Sequence, residues 1–449
     1  MREKVIALEL VHIGIDDTDS LSGGCTTYIC ALLVEDIISM GGVLQDYPNL
    51  VRLNPNVPWK TRGNGALCLR VLIDAERIPE LEELVVNTVE ENSVLSDPKT
   101  DPGVIFHRGR IHPELCSFTG MTMSRIVDIG EAQNLISKFH MGAVALKGQR
   151  GLIGALAAVG GLQDGDYTFE LIAYRRPENR GKARIVSRDS VLCMDKKTYP
   201  QTFNNVDGET GRVLITPRGP DPILYGIRGE SPESVLEAHN LVNPLEEVER
   251  WLIFRTNQGT DCHLAEVDAI CEVHPYQSIA AQGWVNSSPR TIPGGHVIFS
   301  LRDNSGEIDC AAYEPTGGFR NIVRTLLPGD HLQVSGGIRP PTDSFSKTVN
   351  LEKLRVLELV PDFATANPRC PSCLKRMKSM GRGQGFRCER CGIRLPLASK
   401  VQVSMPRTIR TGLYIPPPRA NRHLTKPLSR YGLEKSGGIT QPHGTWHYP

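Results

Sequence analysis

Apolar and polar positions alternate at the start of the chain. Val11, Ile13 and Ile15 stand two apart, which predicts a strand, and the run stops at Asp16, Asp17, Thr18 and Asp19. A small-residue turn (Ser20, Ser22, Gly23, Gly24) leads to Cys25, Thr26 and Thr27, and apolar residues then recur at helical spacing from Tyr28 to Met40. Leu67, Leu69 and Val71 repeat the strand period. PELEELVVNTVEENS (79–93) predicts an amphipathic helix, with its proline in the first turn where a missing N–H costs least. Val144–Leu146 reads as a strand before the apolar helix of RGLIGALAAVGG. FELIAYR (169–175) and WLIFR (251–255) read as strands, and a helix ending near Asn243 lies between them.

From about His274 to Leu359 the pattern is sharper. Five short strands recur, SIAAQGWV, HVIFSL, EIDCAAY, DHLQVSGGI and TVNLEKLRVLEL, and one helix, GGFRNIVRTLL, falls between the third and fourth. That order is the signature of an OB barrel, a fold that commonly carries nucleic acid on one face. The expectation is therefore a multidomain α/β (α+β) protein. Its parts are an α/β sandwich over 1–140, a ferredoxin-like layer over 141–272, an OB-fold barrel over 273–361, a zinc ribbon over 362–400 and a basic tail over 401–449.

The chain has 449 residues, 40% hydrophobic and 22% charged, too many for one core. No apolar run reaches membrane-spanning length, and MREKVIALEL is too short and too charged for a signal peptide, so a cytoplasmic setting without a membrane partner is expected. Eight of the twelve cysteines are scattered singly, as in a reducing compartment. The net charge of +1 conceals an asymmetry: residues 361–449 hold sixteen Lys and Arg against three acids, leaving 35 bases and 47 acids before them. A basic last fifth points to an anionic polymer.

Candidate chemistry begins at the first strand end. Three carboxylates within four positions repel one another, and period 2 places Asp16 opposite Asp17 and Asp19, an arrangement suited to Mg²⁺ and a phosphate. Gly23 and Gly24 would let the backbone approach a ligand, and Thr26 would lie near a helix N-terminus, where anions are favoured. For a single aspartate, an Asx turn or a cap is an equal explanation; for all three it is a poor one. Lys60, Arg62, Gly63, Asn64 and Gly65 form a basic, glycine-rich turn that serves a phosphate or an ordinary loop equally well. Lys147 and Arg150 flank a second glycine turn before a helix, without the P-loop spacing. The polar run TNQGTDCHL, with Asp261 and His263, reads equally as an interdomain connection. Cys370, Cys373, Cys388 and Cys391 give C-x₂-C-x₁₄-C-x₂-C, the spacing of two knuckles closing on Zn²⁺. Arg382, Arg387, Arg390 and Arg394 suggest a ribbon presented to RNA or DNA, and the Pro/Arg-rich tail beyond Met405 reads as only partly ordered without a partner.

IDDTDS followed by CTTY, with RLNP, TRGNGA, RGLIGALAAVG, PQTFNNVD, LYGIRGES, GRGQGFRC and RHLTKPL in order along nearly the whole chain, resembles the archaeal tRNA(Ile) 2-agmatinylcytidine synthetases. The resemblance implies a kinase-type domain ahead of the ferredoxin-like, OB and zinc-ribbon parts. It implies ATP-dependent ligation of agmatine to the wobble cytidine of an isoleucine tRNA, with ATP cleaved to AMP and two phosphates and decoding changed from AUG to AUA. Carried over by motif, Asp16, Asp17 and Asp19 would hold Mg²⁺ and the ATP phosphates, and Thr26 would be the autophosphorylated threonine. No obligate protein partner is evident. The chemistry accords with this: the cytosine 2-carbonyl oxygen is a poor leaving group until phosphorylated, and the base must leave the anticodon stack to be reached. The competing reading is a single-strand-binding protein without ligase activity, which leaves the acidic cluster unexplained, since acids repel phosphate unless a metal is bound.

Overall fold

The computed structural model describes residues 7–343 and 345–449. The front of the chain contributes β1 (Leu8–Asp16), α1 (Thr26–Ser39), β2 (Asn49–Arg52), β3 (Gly65–Asp74), α2 (Ile78–Glu91), β4 (Gly103–Arg108), α3 (Pro113–Ser124), α4 (Ile129–Lys138), β5 (Gly142–Ala145) and α5 (Gly151–Gly160). The next stretch contributes β6 (Thr168–Arg175), α6 (Arg188–Thr198), β7 (Ile223–Gly229), α7 (Pro232–Leu241) and β8 (Val248–Thr256). Their strands form one continuous sheet in the order β5-β4-β1-β3-β2-β8-β6-β7, extended by the short strand Thr202–Phe203.

Alternation along the strands decides the layers. Val11, Ile13, Ile15, Leu67, Leu69 and Val71 turn to one face and pack under α1 and α2. Cys68, Ile105 and Val51 turn to the other and meet α3 and α5. α5 is buried along its length except at Ile153 and lies close to the sheet. A Cβ at Gly14 would stand 2.1 Å from the Ala155 carbonyl oxygen, so only glycine admits the helix there. β5 pairs with β4 and α5 packs on β1, so these two elements belong to the front half-sheet, although the sequence pattern places them after residue 140.

The two half-sheets are joined by the parallel pair β2–β8, Asn49 opposite Arg255 and Leu50 opposite Thr256. A fully buried ion pair, Arg255 to Asp46 at 2.9 Å, lies at this seam. The OB fold follows, with β9 (Ser278–Val285), β10 (Val297–Arg302), β11 (Glu307–Ala312), α8 (Phe319–Arg324), β12 (His331–Arg339) and β13 (Thr348–Glu358). Pairing runs β9-β12-β13-β11-β10 and closes through β9–β10, with α8 between the third and fourth strands as expected. β14 (Asp362–Ala366) and β15 (Val401–Met405) pair as a two-stranded stalk that carries the zinc ribbon.

The tail departs from expectation. Residues 406–449 form a strap that runs from the barrel back to the front. Arg407 reaches Asp330 (2.7 Å), Arg419 reaches Asp207 (2.8 Å) and Arg422 reaches Glu352 (3.2 Å). Arg430, fully buried, meets Asp166 (3.0 Å) and Glu230 (2.5 Å). The strap ends in β16 (His447–Tyr448), which pairs with β8. It is ordered because its cations neutralise carboxylates of the sheet domains and the barrel, which would be costly unpaired. Among the described residues no helix is long and apolar enough to cross a membrane.

Candidate active site and metal centre

β1 is sealed on both edges by β3 and β4, so its carboxyl end opens into the space between α1, α5 and the 53–65 loop. Asp17, the first residue past the strand, has a left-handed backbone (φ 60°), which turns the chain sharply and separates the three carboxylates. Asp16 is held under α5, where a Cβ at Gly154 would stand 1.8 Å from its Oδ2. Burial first, and the neighbouring Asp17 second, push the Asp16 carboxyl well above the usual carboxylate range. Asp17 accepts a hydrogen bond from Arg150 Nε (2.6 Å), yet burial still raises its carboxyl to about 6. Asp19 faces the opposite wall, where its Oδ2 accepts from Arg62 Nε (3.0 Å).

Asp19 also organises the start of α1. Its Oδ1 accepts from the Thr26 backbone N–H (2.9 Å) and from the Thr26 hydroxyl (3.1 Å), and Thr18 donates to that hydroxyl in turn (3.0 Å). Thr26 is therefore the first helical residue, capped by an aspartate seven positions earlier, and its hydroxyl is buried against a carboxylate. Arg62 donates to the Gly24 carbonyl (2.7 Å) and pairs with buried Asp221 (3.2 Å), which fixes the 53–65 loop over the acids. Asn64 donates to the Asn54 carbonyl (2.7 Å), and Lys60 donates to the carbonyls of Pro55 and Val57. The cleft between these parts has about 750 Å³ of empty space. Asp16, Asp17, Asp19, Thr26, Lys60, Arg62, Asn64 and Arg150 all line it.

Three candidates do not. Lys147 donates to the carbonyls of Asp97 (2.8 Å) and Thr100 (3.3 Å) and stays outside the cleft. The glycine turn it opens is filled by Asp101, which accepts from the backbone of Gly148 (2.6 Å) and Arg150 (3.3 Å), so a protein carboxylate takes the place expected for a phosphate. Gly23 and Gly24 shape the turn after Asp19. Gly24 has φ 62°, and a Cβ there would meet the Thr18 carbonyl at 2.5 Å, so its role is to admit the backbone turn. Sequence reasoning missed the apolar lining of the cleft: Leu53, Val57, Trp59, Ile126, Val127 and Ile153, and with them Arg125. Trp59, half-exposed next to Lys60, was the one visible signal. The cleft thus combines charged groups suited to phosphates with apolar side chains suited to a base.

At the other end of the molecule, Sγ atoms of Cys370, Cys373, Cys388 and Cys391 lie within 4.8 Å of one another, all as free thiols. Backbone N–H groups of Cys391 and Arg390 lower the Cys388 thiol to about 6. Four convergent sulfurs of this softness would hold a structural Zn²⁺.

Comparison with known proteins accords with both sites. Family models described as the TiaS TCKD domain, the TiaS FLD domain and the TiaS C-terminal zinc ribbon domain match residues 12–148, 149–263 and 367–409, and an OB-fold nucleic acid binding domain matches 279–357. The 2-agmatinylcytidine synthetase TiaS of Methanosarcina mazei, which acts on an isoleucine tRNA, is 45% identical over 93% of this chain and 97% of its own length. The same enzyme of Archaeoglobus fulgidus is 42% identical, over 94% and 98%. A solved complex of TiaS with its isoleucine tRNA and ATP superposes with TM-score 0.84 at 42% identity, covering 94% of this chain and 97% of that one. A complex of TiaS with the same tRNA, AMPCPP and agmatine superposes with TM-score 0.82 at 39% identity over the same shares. The chain belongs to the TiaS family of isoleucine-tRNA 2-agmatinylcytidine synthetases.

Proposed function

We propose that the protein attaches agmatine to the wobble cytidine of an isoleucine tRNA in the cytoplasm, cleaving ATP to AMP and two phosphates and converting an AUG-reading tRNA to one that reads AUA. The observation that carries this reading is Asp19, one carboxylate placed between the buried Thr26 hydroxyl and Arg62, at the mouth of a cleft that also has an apolar lining. Asp19 is positioned to take the Thr26 proton as that oxygen attacks a phosphoryl group, and Arg62 and Arg150 are positioned to balance the charge that develops on it. The apolar lining accepts the extruded cytosine and excludes water from its 2-carbonyl. One phosphoryl group of ATP goes to that oxygen, and the one taken by Thr26 is released to water as the other phosphate. The neutral primary amine of agmatine then forms the C2–N bond, the C2–O bond breaks, phosphate leaves with the electron pair and the nitrogen gives up a proton to it.

Asp16 and Asp17 supply the all-oxygen donors that Mg²⁺ prefers, and burial of their carboxyls favours a divalent cation there. Bound there, Mg²⁺ would neutralise phosphate charge during transfer. A protein that only bound single strands would have no use for a buried threonine hydrogen-bonded to an aspartate in an acidic cleft.

Labelled γ-phosphate transfer to protein and nucleoside analysis of the tRNA test the reading together. Thr26→Ala should abolish protein labelling, Thr26→Ser should retain part of it, and Asp17→Asn should slow product formation by on the order of 10² or more while the protein still folds. Normal modification rates in folded Asp17→Asn and Thr26→Ala would move the chemistry elsewhere.

A further inference from the structure

A second hollow, with about 1220 Å³ of empty space, lies directly behind the catalytic cleft. Leu53, Lys60 and Arg62 line both, so a partition one side chain thick separates them. Its floor is β2 and β7, through Arg52 and Arg228, and its far wall is the strap from Pro418 to Leu424. No carboxylate is among the described residues that line it.

The charges behind this surface are unevenly balanced. Arg419 and Arg422 on the strap have acids at their backs, Asp207 and Glu209 for one and Glu352 for the other. On the floor, Arg52 (3.7 Å) and Arg228 (3.1 Å) share a single carboxylate, that of Glu170. Lys60 has only backbone carbonyls as partners. The Arg52 side chain is only 13% exposed, its Nε has no hydrogen-bond partner, and burial lowers its affinity for its proton. Beside it, His423 is held neutral by burial and by Arg52 and Arg228. Arg62, in the partition, has two acids, Asp19 and Asp221, so the excess is confined to Arg52, Arg228 and Lys60. Partly buried cations in excess of their carboxylates cost folding energy, and an anion that completes the balance accounts for keeping them. The wall also carries amides: Asn421, whose buried Oδ1 has no partner, and Asn204. Guanidinium groups for phosphate with amides for hydroxyls and base edges are the donor set used on single-stranded RNA.

We infer that this hollow holds the ribose–phosphate backbone of the nucleotides next to the target cytidine, so that the strand crosses the Lys60–Arg62 partition with the target base on the cleft side. The inference rests on the functional reading above and adds a second anion site to it. It gives the strap a direct part in substrate binding, since Arg422, His423 and Asn421 form one wall. It also explains why Arg422 bonds Asn56, in the same loop that carries Lys60 and Arg62.

The test uses the full-length protein, Arg228→Gln and Arg228→Lys. The probes are an isoleucine tRNA transcript and its isolated anticodon stem–loop, with binding measured without ATP or agmatine. Arg228→Gln should weaken binding of both RNAs roughly tenfold and lower the slope of log Kd against log salt by about one, and Arg228→Lys should recover most of the slope. In turnover the loss should appear as a matching rise in the KM for tRNA. Three results would each overturn the inference: unchanged affinity and slope for the stem–loop, a loss seen with the whole tRNA alone, or a rise confined to the KM for ATP, which would assign the hollow to the nucleotide. If the wild-type protein formed no agmatine-modified tRNA, the functional reading would fail, while stem–loop binding would still decide this one.

Discussion

The zinc ribbon and the strap are both strongly basic, and they use that charge in opposite ways. The ribbon region, 362–400, holds nine Lys and Arg, and the strap holds seven. In the ribbon only Lys375 and Lys378 face a carboxylate, that of Glu389; among the described residues Arg369, Arg376, Arg382, Arg387, Arg390, Arg394 and Lys400 have no ion pair. In the strap all but Arg410 are paired to acids of the front or the barrel: Arg407, Arg419, Arg422, Lys426, Arg430 and Lys435. One set of cations remains hydrated and available to a polyanion; the other holds the molecule together. Net charge along a sequence cannot separate the two, because a cation's role depends on the acid that folding brings to it.

The largest contrast should come from deletion. Removing residues 406–449 uncovers Asp207, Glu230 and Glu352 together and should prevent cooperative folding, seen as loss of a thermal unfolding transition. Replacing 362–405 by a short linker should leave the remaining melting temperature within a few degrees and weaken tRNA binding mainly at low salt. Equal stability of the two deletions would erase the distinction.

Single residues should repeat it at smaller scale. Arg430→Ala removes the buried cation shared by Asp166 and Glu230, leaving only Lys426 and Lys435 beside them, and should cost about 3 kcal/mol in denaturant unfolding. Arg382→Ala should stay within about 0.5 kcal/mol of the wild type. Its effect should appear instead as a tRNA-binding salt slope lower by about one.

Removing zinc sharpens the same line. A strong chelator should release one Zn²⁺ per chain and abolish ribbon-dependent tRNA affinity, because Cys370, Cys373, Cys388 and Cys391 lose the ion that joins them. The main unfolding transition should not move, since the ribbon's small core shares no residue with the sheet or the barrel.

Acid should loosen the strap. Burial alone would raise the Glu352 carboxyl, but His263 and Arg422 overcome it and hold it at about 2, below the ordinary 4.5. A depressed carboxyl contributes stability that is complete above its unfolded value and is lost as pH falls from about 4.5 toward 2. Unfolding free energy measured across that window should fall more steeply in the wild type than in Arg422→Ala, where the cation is already gone. Parallel curves would show that the strap's ion pairs contribute little.

Much of the site is legible in the sequence itself. The strand ending in Asp16, Asp17 and Asp19 shows because its apolar partners alternate, and the zinc centre shows because two knuckles need that cysteine spacing. Period 2 is a poor guide past Asp16, where the left-handed Asp17 breaks the alternation. Lys147 misleads for a different reason. Its glycine turn looks open in sequence, and Asp101, 47 positions away, fills it. Apart from Trp59 the apolar lining leaves no local signal, and Arg125, Ile126 and Val127 reach the cleft only when α3 packs against α5.

What local pattern determined here is short in range: strands, helices, the five-strand order of the barrel, the acid cluster and the four sulfurs. Each depends on residues within one element or one turn, where period, capping and ligand spacing act. The tertiary structure alone decided that two half-sheets fuse through Asn49 and Arg255 and that a carboxylate occupies the glycine turn. It also decided that the last cations neutralise acids such as Asp166, 264 residues earlier. Those outcomes turn on desolvation: a carboxylate removed from water takes whichever cation the fold delivers, and chain distance carries no record of which one that is.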